Sequence, residues 1–216
     1  IDRSGQRARD LIQQMLTFSR GQRGEPRPVD LAPLVSEWVS LIQSTLPSSV
    51  EIVTELDPQL PAAMLDPIHI EQVMMNLCIN ARDAMQGQGT LSIRLRKTRC
   101  EDCICESCRQ PLAGEYIELA VSDTGAGITP EVRERVFEPF YSTKAVGHGS
   151  GMGLAMVHGI VHEYGGHLLL DSKPGEGASL SVLLPALGEE PVFNDVEEDQ
   201  VRAAGALEGR VLLVDD

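Results

Sequence analysis

Asp123-Thr-Gly-Ala-Gly127 follows directly on Glu115-Tyr-Ile-Glu-Leu-Ala-Val-Ser122, a run that alternates as a strand does. A carboxylate at a strand's end with a Gly-x-Gly turn behind it sets a hydrogen-bond acceptor at the edge of a pocket that backbone can approach closely. Farther on, Gly147-His-Gly-Ser-Gly-Met-Gly-Leu154 has a glycine at every second position and then opens a helical pattern. Backbone N–H groups in such a run, with a helix N-terminus behind them, can cradle phosphates with few basic side chains. No Gly-Lys-Ser/Thr follows, so the run is not a P-loop. An exocyclic amino group such as that of adenine is a natural donor to Asp123.

Working outward, Asp66-Pro67 predicts the start of a long helix, with Asp66 as N-cap and Pro67 in the first helical position. On it Asn76 and Asn80, four apart, share one face, with Asp83 on the adjoining turn. Two stacked amides on an otherwise apolar helix are costly to bury unless they bind something, and an amide oxygen is a hard neutral ligand suited to Mg²⁺. Leu31, Leu34, Val35, Trp38, Leu41 and Ile42 mark an earlier helix, and Leu154–Tyr164 a later one. Strands are expected at Glu51–Leu56, Thr90–Lys97, Glu115–Ser122, His167–Asp171 and Ser179–Leu184. Helices on one side and strands paired among themselves predict an α+β fold: a two-layer α/β sandwich, its mixed sheet covered on one face by helices.

The chain has 216 residues, room for one ordinary domain with attachments. Its net charge of −14 argues against a nucleic-acid or anionic-membrane surface. Part of that charge is local, because residues 188–209 hold seven acids against Arg202 alone and read as an acidic linker. Residues 1–28, with six Arg against Asp2, Asp10 and Glu25, carry an amphipathic helical pattern that needs a partner. Arg210-Val-Leu-Leu-Val-Asp-Asp216 reads as a buried-type strand.

Taken in order, Asn76-Leu-Cys-Ile-Asn-Ala-Arg-Asp-Ala84, Asp123-Thr-Gly-Ala-Gly127, Phe137-Glu-Pro-Phe140, Gly149-Ser-Gly-Met-Gly-Leu154 and Gly175-Glu-Gly177 resemble the boxes of the catalytic, ATP-binding domain of sensor histidine kinases. That domain belongs to the gyrase, heat-shock chaperone, histidine kinase and mismatch-repair ATPase superfamily. The resemblance implies a Bergerat-type fold over 29–187, binding ATP with Mg²⁺. It assigns Asn80 to Mg²⁺, Asp123 to the adenine amino group, and Gly125 and Gly127 to the base pocket. Gly149, Gly151 and Gly153 would hold the phosphates ahead of Leu154, with Asp83 and Leu154 completing the nucleotide set. Asp123 to Gly153 would form the mobile lid, with Lys144 at the γ-phosphate. The hydrolytic branches carry a glutamate one turn before the Mg²⁺ ligand; Asn76 stands there instead, which favours transfer to a protein acceptor. Relatives usually place Thr after the third glycine segment, whereas this chain has Ala178 and then Ser179, a partial substitute at the base.

The resemblance also implies neighbours. Residues 1–28 match the end of the second helix of a dimerisation and phosphoacceptor hairpin, and 210–216 the first strand of a receiver domain. The expected parent is a homodimeric hybrid kinase, with this domain in the cytoplasm and room for a membrane anchor upstream, in which the γ-phosphate passes to a histidine on the upstream hairpin. The fragment alone is expected to bind ATP without autophosphorylating. Its expected partners are its own hairpin and receiver domain, with no nucleic acid and no membrane contact. A regulatory module that keeps the fold without the activity, a true ATPase, and a zinc-knuckle nucleic-acid binder are the alternatives.

Cys100, Cys103, Cys105 and Cys108 crowd into nine residues between two expected strands. Four thiolates on one loop can hold a tetrahedral Zn²⁺, the favoured reading over disulfides or free thiols and over redox or iron–sulfur chemistry. Cys78 reads as core packing. His162-Glu163, which superficially resembles a phosphoacceptor dipeptide, reads as structural.

Overall fold

Three helices and one apolar sheet face generate the core of the computed structural model, which describes residues 25–43, 45–144 and 150–188. The helix expected in the first 24 residues, the linker from 189 on, the strand at 210–216 and Gly149 lie outside them. The elements run β1 (Arg27–Val29), α1 (Leu31–Gln43), β2 (Val50–Leu56), β3 (Ala63–Leu65), α2 (Pro67–Ala84), β4 (Gly89–Ile104), β5 (Pro111–Asp123), α3 (Pro130–Arg133), α4 (Gly153–Glu163), β6 (His167–Ser172) and β7 (Ala178–Pro185). The main sheet has the order β2-β4-β5-β7-β6; β2 pairs with β4 in parallel and the other pairs are antiparallel.

In α1, Leu31, Val35, Trp38 and Ile42 recur every three or four residues and are all buried, and the Asp30 carboxylate accepts from the Ala32 N–H at the helix start. In α2 the buried stripe is Ile70, Val73, Met74, Leu77, Cys78 and Ala81. Asp66 caps it as expected: its Oδ1 accepts from the Ile68 N–H at 3.0 Å, with Pro67 in the first turn. The Tyr164 hydroxyl, just past α4, lies 2.6 Å from His69 Nδ1 and accepts from the Asp66 N–H, tying the start of α2 to the end of α4.

Strand periodicity sorts the sheet residues. Leu91, Ile93 and Leu95 of β4, Ile117 and Leu119 of β5, Leu168 of β6 and Val182 of β7 are fully buried on one face. The alternate residues include polar groups satisfied across strands: Glu118 takes Arg96 at 2.6 Å and the Ser181 hydroxyl at 2.7 Å. Two pieces exceed the sequence reading. The three-residue strands β1 and β3 pair antiparallel as a separate small sheet, and α3 interrupts the Gly-rich region.

The β4–β5 hairpin corrects the four-cysteine reading. Both strands run beyond the sheet, so Cys100 and Cys103 lie within β4 and the turn proper spans Cys105 to Gln110. There the Cys105 N–H donates to the Gln110 carbonyl and the Arg109 N–H to the Cys105 carbonyl, while Arg109 takes φ +62°. The turn folds onto the free edge of β6, where the Glu106 N–H donates to the Leu168 carbonyl at 2.7 Å. Cys105 and Cys108 meet His162 and His167 there, all four ligand atoms within 4.8 Å of one another, instead of meeting Cys100 and Cys103. His162 is thus drawn into a side-chain cluster. All five cysteines are free thiols.

Candidate functional site

Helix α2, the end of β5 and the start of α4 enclose two adjoining cavities. The smaller, about 100 Å³, is walled by apolar side chains such as Leu77, Ile128, Leu170 and Leu180, with Asp123 as its carboxylate. The larger, about 300 Å³, is polar and collects Asn76, Asn80, Asp83, Lys144, Gly151 and Gly153. Asn80 and Leu154 line both, so one amide and one leucine form the shared wall.

Asp123 is positioned by strand phase. It pairs with Ala178 across β5–β7, on the same sheet face as Val121 and Leu180. Its Oδ1 accepts from the Gly125 N–H at 2.8 Å. Burial raises its pKa above the ordinary 3.8, although the backbone N–H groups of Gly125 and Ala178 pull the other way. Gly125 passes so close to the end of α2 that an added Cβ would stand 2.6 Å from the Ala84 carbonyl carbon. The next residue clasps that carbonyl, the Ala126 N–H donating to it at 3.3 Å. Gly127 lines the apolar cavity beside Ile128.

Ser179 is the exception among the expected base-pocket residues. Side chains alternate across a strand, so Ala178 faces the cavity and Ser179 faces away. Its hydroxyl accepts from Ser122 on the opposite face at 2.8 Å. The expected hydroxyl at the base is therefore absent from the described lining of the apolar cavity, and Ala178 supplies a methyl group in its place.

At the polar end, Asn76 donates its amide to the Gln72 carbonyl at 2.8 Å, leaving its oxygen toward Gly153. Among the described residues the Asn80 amide has no side-chain hydrogen-bond partner. The N-terminus of α4 has Met152 at the cap position with no side-chain capping bond and no acidic residue in the first turn. Its first N–H groups are the unpaired donors that an anion satisfies. Gly151 takes φ +67° against the Phe140 backbone, and the Phe140 N–H donates to the Gly151 carbonyl at 3.0 Å, joining the Phe137–Phe140 segment to the glycine run. Lys144 reaches back to α2, its Nζ 2.6 Å from Asp83 Oδ2. Burial alone would raise the Asp83 pKa, but Lys144 and Arg82 outweigh it and hold the carboxyl below its ordinary value.

The region expected as a lid is fastened at its base. Arg133 of α3 binds Glu106 of the cysteine turn through two bonds of 2.8 and 2.7 Å and donates to the Leu170 carbonyl at 2.9 Å. Paired with Arg133, the Glu106 carboxyl lies below its ordinary pKa. Burial pushes the Cys105 thiol up, yet hydrogen bonds from His167, the Leu168 and Cys108 N–H groups and Ser107 bring it down to about 5. Burial instead raises the Cys100 and Cys78 thiols to about 12, Cys78 simply filling the core between α2 and its neighbours. The signal missed in the sequence is long-range: Cys105 and His162 stand 57 residues apart.

Comparison with known proteins places this geometry. Residues 65–188 match the family described as histidine kinase-, DNA gyrase B-, and HSP90-like ATPase. The chain is 36% identical over 222 residues to the sensor kinase CckA of Brucella abortus, covering all of this chain and 24% of that protein. It is 36% identical over 176 residues to the two-component sensor PprA of Pseudomonas aeruginosa, covering 81% of this chain and 18% of that one. The chain thus spans a quarter or less of these relatives. Among solved structures, full-length ShkA in complex with AMPPNP superposes with a TM-score of 0.64 at 24% identity, over 85% of this chain and 36% of that one. The mycobacterial sensor histidine kinase MprB gives 0.58 at 24% identity, over 77% and 99%. These structural likenesses establish the fold.

Proposed function

Since the chain belongs to the histidine kinase-, DNA gyrase B- and HSP90-like ATPase family and carries the ATP-binding catalytic domain of a histidine kinase, we propose that it holds ATP across the two adjoining cavities and presents the γ-phosphate to a histidine of the parent protein. The observation that carries this reading is the shared wall. An apolar slot ending in Asp123 suits a purine, and Asn80 and Leu154 pass directly from it to a polar chamber that offers an uncapped helix N-terminus. Asp123 accepts from the adenine amino group, and the N–H groups at the start of α4 take the phosphates.

The donor set fits Mg²⁺, since the Asn80 side chain lines the chamber and its amide oxygen would be a hard neutral ligand. When bound, the ion neutralises charge on the phosphate oxygens. Lys144, released from Asp83, reaches the γ-phosphate.

Transfer is favoured over hydrolysis because the described lining residues offer no free carboxylate base. Among the described lining residues of the polar chamber Asp83 is the one carboxylate, and Arg82 still holds it when Lys144 moves to the phosphate. Asn76 cannot take a proton from water. Catalysis then rests on positioning and electrostatics. The acceptor hairpin, a dimeric parent and a receiver domain beginning at Arg210 belong to this proposal. The match to the sensor kinase CckA over the whole of this chain supports it.

The test supplies labelled ATP to the parent protein with its upstream helices. Acid-labile, base-stable phosphate on the protein, lost in Asp123→Ala, is the expected result. Tight ATP binding without phosphohistidine would favour a regulatory module, and steady-state phosphate release abolished by Asn76→Ala would favour an ATPase. No helix among the described residues is long and apolar enough to cross a membrane.

A further inference from the structure

We propose that Cys105, Cys108, His162 and His167 form a Zn²⁺ site that pins the β4–β5 turn to the end of α4 and the edge of β6. The inference stands apart from the nucleotide reading. It rests on four side chains from three elements whose ligand atoms converge within 4.8 Å.

The distances suit a tetrahedron. Cys105 Sγ lies 3.9 Å from His162 Nε2, and Cys108 Sγ lies 3.8 Å from His167 Nδ1. With Zn–S about 2.3 Å and Zn–N about 2.0–2.1 Å, adjacent ligands of one tetrahedral ion are separated by about 3.6 Å. Loading therefore needs a contraction of a few tenths of an ångström for these two pairs.

The surroundings are those of a metal knuckle. Cys105 is fully buried and accepts from the Leu168 N–H at 3.4 Å, which steadies a thiolate. The Cys105–Gln110 turn is closed by two backbone hydrogen bonds, so both sulfurs are held before any ion arrives. His167 is buried at the start of β6, and the tight Tyr164-Gly165-Gly166 connection fixes its place relative to His162. Ser107 Oγ now lies 2.9 Å from His162 Nε2 and 3.4 Å from Cys105 Sγ. On loading, its hydroxyl gives up the imidazole and keeps the sulfur.

Two thiolates and two neutral imidazoles form a closed four-coordinate set, the donor pattern of structural zinc. Cys100 and Cys103, set back within β4, are outside it. The site also has a mechanical consequence. The turn it fixes carries Glu106, whose carboxylate holds Arg133 of α3, so the ion braces both the end of α4 and the segment leading into the lid.

The experiment uses the full chain purified without a metal-affinity tag. Elemental analysis is expected to find one zinc per chain, removable by a strong chelator under reducing conditions, with a fall in melting temperature of about 5 °C or more. Refilling with Co²⁺ should give the intense ligand-field bands of tetrahedral cobalt and a charge-transfer band sized for two thiolates, in the wild-type chain itself. Cys100→Ser and Cys103→Ser should leave both signals intact, whereas Cys108→Ser and His162→Ala should abolish the tetrahedral spectrum. No stoichiometric zinc and no tetrahedral cobalt spectrum would overturn the proposal, as would a four-thiolate spectrum or one lost in Cys100→Ser.

Discussion

Lys144 Nζ stands 2.6 Å from Asp83 Oδ2, so the cation from the segment after Phe137–Phe140 is parked on the helix that carries both asparagines. The contact is partly exposed and lies on the wall of the polar chamber, where a triphosphate's last group would compete with Asp83 for the ammonium. An ion pair at such exposure is weak enough to exchange.

Lys144→Ala should therefore weaken ATP far more than ADP. Calorimetric titration is expected to show about a 10-fold loss for ATP, matching the roughly 1.5 kcal/mol of one charge-assisted hydrogen bond, and less than about 2-fold for ADP. Equal losses for the two nucleotides would remove Lys144 from the γ-phosphate.

Asn80 borders both cavities and, among the described residues, spends its amide on no other side chain. Asn80→Ala should thus abolish the gain in ATP affinity that Mg²⁺ confers while leaving the metal-free affinity within about 3-fold, with little change in stability. Titrations with Mg²⁺ and with a chelator separate the two; a persistent Mg²⁺ dependence would place the ion elsewhere.

At Gly125 the constraint is steric. An added methyl meets the backbone of Ala84 and the carboxylate of Asp123. Gly125→Ala should cost about 1–3 kcal/mol in urea unfolding, as overpacking does, and should abolish nucleotide binding by displacing Asp123. Wild-type stability would mean that the turn relaxes freely.

These contacts show how far the sequence could be read. Asp66-Pro67 announced the start of α2, because a cap and an N1 proline are local signals. The alternation into Asp123 likewise marks the strand and its turn. The strands β1 and β3, three residues each, are too short for any period to show. Ser179 was misplaced because its proximity to the third glycine segment outweighed strand phase, which turns adjacent side chains to opposite faces. The ligand set around the cysteine loop is hidden for a different reason. Spacing within the loop suggested four thiolates, but which elements meet at the edge of β6 depends on how far the hairpin overhangs the sheet, and no local pattern encodes that.

The raised pKa of Asp123 gives a pH dependence with a definite sign. Burial favours the protonated acid, so the folded-state pKa lies above the unfolded one, and the carboxylate costs stability once the pH exceeds the unfolded value. Adenine recognition needs the ionised form, so affinity should be flat above the raised pKa and fall as the pH drops through it. Asp123→Asn, with nothing to ionise, should lack that component while melting no lower than the wild type at pH 7. ATP titrations from neutral to acid pH on both proteins check this; identical profiles would show that the acceptor is another group.

Equilibrium titration of ATP and GTP with the wild-type chain and Asp123→Asn at pH 7 in Mg²⁺ bears most directly on the nucleotide site. Saturable one-to-one ATP binding is expected, with GTP much weaker and the ATP affinity falling about 10- to 100-fold in the variant, the value of a hydrogen bond to a charged acceptor. Equal ATP affinity in the two proteins, or no discrimination between ATP and GTP, would contradict the assignment of the Asp123 cavity to adenine.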